Sequence, residues 1–284
     1  MEHLDIRMDY AARLFQKAEY EEAKIVFGHL LKRYKKQAGP DQVRACLYRL
    51  ACIAYIDGEM QKFHELFTHY QEWMHHQPEA EYHVLKGLEE LALQRYEPAI
   101  KAFTDVLPIA EEAGLADQKL TSLLYIQTCH IALGRMQLSL EMSDELWTTH
   151  QKGIQADTGH FFHYLLNRAD AFYGLERLEE MDELLEACEA HEDLSTVPTE
   201  HIKTLLMRAK FHMARRERRA AAASLEKAGE VAEEQANVDL RSEVYGALIA
   251  NYETRGKTKR ALRYKKKRMA LQRNALKNKH VHHP

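Results

Sequence analysis

Apolar residues recur along most of the chain at spacings of three and four, so that positions i, i+3, i+4 and i+7 fall on one side of a helix. The segment YAARLFQKAEYEEAKIVF shows the unit. An apolar-periodic stretch containing Ala11 is followed by a short break, and a second stretch opens with Ala23 and carries Phe27 four residues later. No segment alternates with a period of two for long enough to predict a strand. The pattern therefore predicts an all-α protein built from helix pairs.

This unit occurs seven times in the sequence. The copies span approximately residues 4–38, 41–77, 79–114, 117–152, 158–194, 199–236 and 238–278. The breaks inside the copies, such as IDGEM and TRGKT, are short enough only for tight turns between antiparallel helices. Longer connectors carry helix stops such as Gly39-Pro40 and Pro198. Because one pair cannot bury its apolar face alone, we expect a single solenoid over residues 1–284, with a disordered tail at 279–284.

The copies resemble the tetratricopeptide repeat family over roughly residues 4 to 275. Copies four and five depart from the pattern, because Ser139 and Met181 stand where the second helix opens with Ala in other copies. The units exceed the family's usual length of about 34 residues, and are similar to those of bacterial peptide-sensing regulators. The resemblance implies a right-handed α-α superhelix whose concave face, lined by the first helix of each pair, binds a peptide or protein. Those regulators usually carry an N-terminal effector module. The first repeat begins almost at Met1, and we expect no such module here.

Composition places the chain among globular proteins, with 45% hydrophobic and 29% charged residues. No stretch approaches 18 consecutive apolar residues, so we expect no contact with a membrane. The four cysteines, Cys46, Cys52, Cys129 and Cys188, form no CxxC pair. We interpret them as reduced core thiols of a cytoplasmic protein.

The net charge of −3 conceals a strong asymmetry. Of the 40 Lys and Arg, 12 lie after residue 254, where there is no acid, so the first 254 residues carry 28 bases against 43 acids. In the last predicted helix, Leu262, Tyr264, Met269 and Leu271 are expected on one side. The expected contact residues opposite them are Arg263, Lys266, Lys267, Arg273 and Lys277.

Three interpretations of this basic helix remain open: a solubilising cap, a contact with an acidic protein or a second copy in a homodimer, and nucleic-acid binding. We do not expect nucleic acid, because the acidic remainder of the chain would repel it.

Two short motifs suggest chemistry. Gly256-Lys257-Thr258 is the end of a phosphate-binding loop, but Asn251 stands where that loop needs its first glycine, and a helical pattern precedes it. We therefore predict a turn at Gly256. His160 and His163 could share a metal ion, but 17 histidines make chance pairs common. We predict no metal site, no cofactor and no catalytic residue.

The resemblance implies which residues line the concave face. They are Tyr48, Tyr55, Leu124, Thr128, His163, Asn167, Asp170, Tyr173, Lys203 and Lys210. An Asn there can hydrogen-bond a peptide backbone, and a Lys can pair with a carboxylate. The family's carboxylate clamp is incomplete, since Leu124, Thr128 and Met207 stand at its other positions.

We therefore expect a non-catalytic scaffold for peptides or proteins in bacterial signalling or regulation. The alternative is a regulator whose basic C-terminal helix binds an acidic protein or nucleic acid, or mediates homodimerisation.

Overall fold

The computed structural model describes residues 2–34, 39–74, 79–235 and 237–281, with the side chains of 2, 3, 34 and 274–281 left out. Within these ranges the chain forms fourteen α-helices and one short 3₁₀ helix, and no strand. The predicted all-α fold class is confirmed. The chain divides into two compact units, Met1–Leu175 (unit 1) and Glu176–Pro284 (unit 2), and each is described by itself. No helix in the described ranges is long and apolar enough to cross a bilayer.

Unit 1 contains nine helices. They are α1 (Glu2–Gln16), α2 (Tyr20–Tyr34), α3 (Pro40–Ile56), α4 (Met60–Glu72), α5 (Ala80–Ala92), α6 (Tyr96–Glu112), α7 (Ala116–Ala132), α8 (Met136–Ala156) and α9 (Thr158–Gly174). Pro40 occupies the first turn of α3, where its missing N–H costs nothing because that N–H would have no acceptor within the helix. Helix α8 is kinked at His150 and continues to Ala156, so Asp157 alone separates it from α9.

Unit 2 contains five α-helices and the 3₁₀ helix. They are α10 (Leu178–Glu189), the 3₁₀ helix (Glu192–Thr196), α11 (Pro198–Ala214), α12 (Arg218–Glu233), α13 (Val238–Thr254) and α14 (Thr258–Val281). Helix α14 extends three residues into the segment 279–284 that we expected to be a tail, and residues 282–284 lie outside the described ranges.

Every turn inside a helix pair places one residue in the left-handed region of φ. Three of these residues are glycines, Gly58, Gly134 and Gly256, as their conformational freedom favours. The predicted turn at Gly256 is therefore confirmed, with φ at 66°. The other four turn residues are Ala18, Gln94, Glu176 and Arg216, with φ between 57° and 62°.

The turns share one hydrogen-bond pattern. At Gln94 the N–H bonds to the carbonyl of Leu91, and the N–H of Arg95 bonds to the carbonyl of Glu90. The same pair of bonds recurs at Ala18, Gly58, Gly134, Arg216 and Gly256. It is the Schellman motif, which satisfies the last carbonyls of a helix and reverses the chain.

The core repeats with the turns. Seven residues before the turn residue lies a small buried one, and nine residues after it lies a large one. These pairs are Ala11 and Phe27, Ala51 and Phe67, Gly87 and Phe103, Ala169 and Leu185, and Ala209 and Leu225. The contact is close: a Cβ on Gly87 would lie 2.5 Å from the Phe103 ring. In the fourth copy the large residue, Gln127, comes before the turn and the small one, Ser143, comes after it. In the seventh copy the two positions are occupied by Ile249 and Lys265.

All four cysteines are free and buried, as expected of core thiols. Burial raises the pKa of each thiol to about 12. At neutral pH they are therefore protonated, unreactive core residues.

Candidate functional site

The first helices of successive pairs in unit 1 lie side by side, α3 against α5, α5 against α7, and α7 against α9. We call the surface that they share the inner face. It carries a row of rings: the Tyr125 centroid lies 6.2 Å from that of Tyr55 and 4.8 Å from that of His163, edge to face in both cases. Tyr125 also stacks on Phe103 at 5.2 Å. All three members of the row are half-buried. They present a fixed aromatic surface with polar edges.

Thr128 and Asn167 lie beside this row. The Thr128 hydroxyl is 2.9 Å from His163 Nε2 and 3.1 Å from Asn167 Oδ1. Asn167 is only 7% exposed, and its Nδ2 donates to the carbonyl of Leu124 at 3.0 Å and to Gln127 Oε1 at 3.3 Å. Its amide joins α7 to α9. The expectation that Asn167 binds a peptide backbone is therefore corrected, because its donors already have internal acceptors.

Two further predicted groove residues lie in the core of unit 1. Tyr48 is 4% exposed and Leu124 is 0% exposed, so neither side chain can contact a ligand in this conformation. Tyr55, His163, Asp170 and Tyr173 are half-buried on α3 and α9 and stay candidates.

A charged cluster that no sequence motif indicates spans the same helices. Arg49 of α3 lies 3.5 Å from Asp117 of α7, and His160 of α9 lies 3.7 Å from Asp117 and 3.8 Å from Asp157. Thr121 holds the other ring nitrogen of His160 at 2.8 Å. We call these residues, together with Glu81 of α5, the acidic cluster.

Burial dominates the electrostatics of this cluster. It raises the pKa of the Glu81 carboxyl, opposed by Arg49, and raises the pKa of Asp157, opposed by His160 and by its backbone N–H. The three carboxyl groups of Glu81, Asp117 and Asp157 outnumber the two guanidinium groups that act on them, Arg49 and, at Glu81, Arg44. Such a site favours a cationic group.

Asp117, Asp157 and His160 also form the one group in the described ranges whose ligand atoms, all within 4.8 Å of one another, could reach a common metal ion. Two of these side chains already have other roles. Asp157 caps α9 by accepting from the His160 N–H at 2.8 Å, and Asp117 pairs with Arg49.

In unit 2 the predicted residues Lys203 and Lys210 lie on α11, the first exposed and the second half-buried. On the same helix, Arg208 pairs bidentately with Glu189 at 2.9 Å and also with Asp182. Arg208 and Glu189 border a cleft of about 400 Å³ that His201 and Lys227 also line.

The basic residues of α14 divide between two sides. Lys267 is half-buried and pairs with Glu233, so it stabilises unit 2 and is not a free contact residue. Arg263, Lys266 and Arg273 are exposed, while the side chain of Lys277 lies outside the described residues. The expected apolar side is corrected too, because Leu262 is 51% and Met269 is 52% exposed, whereas Tyr264 and Leu271 pack inward.

Solved structures supply the comparison for this chain. A Rap protein complexed with competence and sporulation factor aligns with a TM-score of 0.68 at 12% identity, over 95% of this chain and 76% of that one. NprR in complex with its cognate peptide NprX aligns with a TM-score of 0.65 at 13% identity, over 87% and 71%. A tetratricopeptide repeat protein from Parabacteroides merdae aligns with a TM-score of 0.55 at 15% identity, over 95% and 94%.

No protein-family model matches the sequence, and no curated protein does. These structural alignments establish the fold, and at identities of 12–15% they leave the activity open. The chain has the all-α helical-repeat fold of the tetratricopeptide type.

Proposed function

We propose that this protein binds a short peptide on the inner face of unit 1, as a non-catalytic scaffold in bacterial signalling or regulation. The observation that carries the proposal is the half-buried row Tyr55–Tyr125–His163 beside the acidic cluster. Half-buried aromatic rings bind apolar side chains at little entropic cost, because they are already fixed by their neighbours. The Rap and NprR complexes support this function, since the first contains competence and sporulation factor and the second contains the cognate peptide NprX.

The acidic cluster adds a preference for a peptide that carries a positive charge. Its three carboxyl groups favour a peptide with a basic side chain or a free amino terminus near His160. The buried, protonated thiols support the cytoplasm as the compartment. Lys203 and Lys210 on α11 of unit 2 remain proposed contacts for a ligand that carries a carboxylate.

The test is a fluorescein-labelled pentapeptide library, screened by fluorescence anisotropy against the full chain. The variants are Tyr125→Leu, which keeps an apolar side chain but removes the ring, and Asp117→Asn. The control is Glu112→Gln, an exposed residue of α6 that loses the same charge. Peptides that bind should carry a cationic group, and binding should weaken about tenfold in both variants but not in the control. Peptides that bind all three variants as they bind the parent would overturn the proposal.

A further inference from the structure

Helix α14 has an unpartnered side that is both basic and apolar. Lys259, Leu262, Lys266, Met269 and Arg273 are all exposed, and they follow one another at spacings of three, four, three and four. At 100° per residue these five side chains fall within an arc of roughly 80°. We call this set the outer stripe. It lies opposite the side of α14 that packs in unit 2 through Ala261, Tyr264 and Leu271.

The basic groups of the outer stripe differ from the other basic groups of the helix. Arg260, Lys265 and Lys267 pair with Glu226, Glu253 and Glu233 of unit 2. Among the described residues, no hydrogen bond or ion pair holds Lys259, Lys266 or Arg273. The stripe therefore has three available positive charges, and no acid lies anywhere after residue 254.

The order of residues along the outer stripe identifies the kind of partner. Basic and apolar side chains alternate at spacings of three and four, the spacing at which one helix packs along another. Two exposed apolar residues seven positions apart, with lysines between them, are too few for insertion into a lipid surface, which needs a broad apolar face. The positive charge of the outer stripe favours a partner that carries acidic groups.

We propose that the outer stripe of α14 docks an acidic amphipathic α-helix of another protein, one that alternates carboxylates with apolar side chains in a heptad. Leu262 and Met269 then pack against the apolar side chains of that helix, and Lys259, Lys266 and Arg273 pair with its carboxylates. This interaction is separate from the inner face, which lies in unit 1.

The probe is a synthetic 21-residue helix with Leu and Glu at its two seam positions, and the control peptide has Lys in place of those Glu residues. Binding to the full-length protein is measured by fluorescence anisotropy at low and high salt. We expect the Glu peptide to bind, the Lys peptide not to bind, and affinity to fall with salt.

The informative protein variants are Lys266→Glu in the stripe and Lys257→Glu in the exposed turn before it, which changes the charge equally. Lys266→Glu should weaken binding at least about fivefold, because it replaces an attraction with a repulsion, and Lys257→Glu should change it less than twofold. Met269→Ser should also weaken binding, whereas a purely electrostatic contact would not respond to that change.

Equal binding of both peptides, or equal affinities of Lys266→Glu and Lys257→Glu, would overturn the proposal. So would sedimentation showing a dimer that Lys266→Glu dissociates, since the occupant would then be a second copy. Binding to vesicles of anionic lipid without binding to the Glu peptide would exclude a helical partner.

Discussion

The Nε2 atom of Gln127 donates a hydrogen bond to the hydroxyl oxygen of Ser143. In the helix pair before it, Gly87 and Phe103 occupy the two equivalent positions. The fourth pair thus has the large side chain on its first helix and the small one on its second, the reverse of the third. Because Gln127 is fully buried, its amide needs acceptors, and it finds them in Ser143 and in the carbonyl of Ser139. The large side chain at position 127 and the small side chain at position 143 therefore depend on each other.

This dependence is measurable as a double-mutant cycle. Gln127→Ala alone should lower the free energy of unfolding by about 1–3 kcal/mol, since it leaves a cavity and removes one of the two acceptors of the Asn167 amide. Ser143→Leu alone should cost about 1–3 kcal/mol, because the added side chain meets Gln127. The double variant restores the small-then-large order of the other pairs. We expect it to lose less than the sum by more than about 0.5 kcal/mol in urea titrations. Simple additivity would contradict this interpretation.

Ser139 and Ser143 should respond in opposite ways to alanine. The Ser139 hydroxyl oxygen is buried and has no hydrogen-bond partner among the described residues, whereas Ser143 accepts from Gln127. Ser139→Ala should therefore leave the free energy of unfolding unchanged or raise it by up to about 1 kcal/mol, since it removes an unsatisfied polar group. Ser143→Ala should lower it by about 1–2 kcal/mol. Each serves as the control for the other in the same urea experiment.

The left-handed turn residues allow a second comparison, between the stabilities of matched turn variants. Gln94 has φ at 57° and is exposed, so Gln94→Gly should raise the free energy of unfolding by about 1 kcal/mol through relief of backbone strain. Gln94→Ala keeps the strain and should have little effect. Gly134→Ala, at the same point of the next turn with φ at 75°, should lower stability by about 1 kcal/mol. If Gln94→Gly is no more stable than Gln94→Ala, the strain is absent.

Asp157 should make the stability of unit 1 depend on pH. Burial raises the pKa of its carboxyl, so its contribution is fully present below the unfolded pKa and is lost as pH rises through the folded pKa. Asp157→Asn removes this titration and keeps a side chain that caps a helix. We expect the unfolding free energy of the parent minus that of the variant to fall between pH 4 and pH 7, measured by urea titration. A difference that rises over this interval would mean that the folded pKa is lowered instead.

Periodicity predicted the helix pairs because it records which positions are buried, and the turns were located by their short polar breaks. The left-handed conformation of a turn residue could be predicted only where that residue is a glycine, as at Gly134. Nothing in the identity of Glu176 or Arg216 indicates a left-handed conformation, which the packing of two helices imposes on whichever residue falls there.

The inner face was harder to predict. Tyr48 and Tyr55 are seven residues apart on one helix, yet the first is in the core and the second is half-buried, because the neighbouring helices cover them differently. The acidic cluster combines Arg49, Asp117 and His160 from three separate helix pairs. No local spacing encodes that combination, which exists only once α3, α7 and α9 lie together.

The regular turns have a practical consequence for engineering. At Gly134 and Gly256 no atom other than those of the adjoining residues lies within 4 Å of the place a side chain would begin, so both tips face open space. Exposed tips of this kind tolerate inserted sequence, because no buried backbone has to move. A short tag or a fluorescent reporter placed at either tip would leave the packed helices intact, and would mark unit 1 and unit 2 independently.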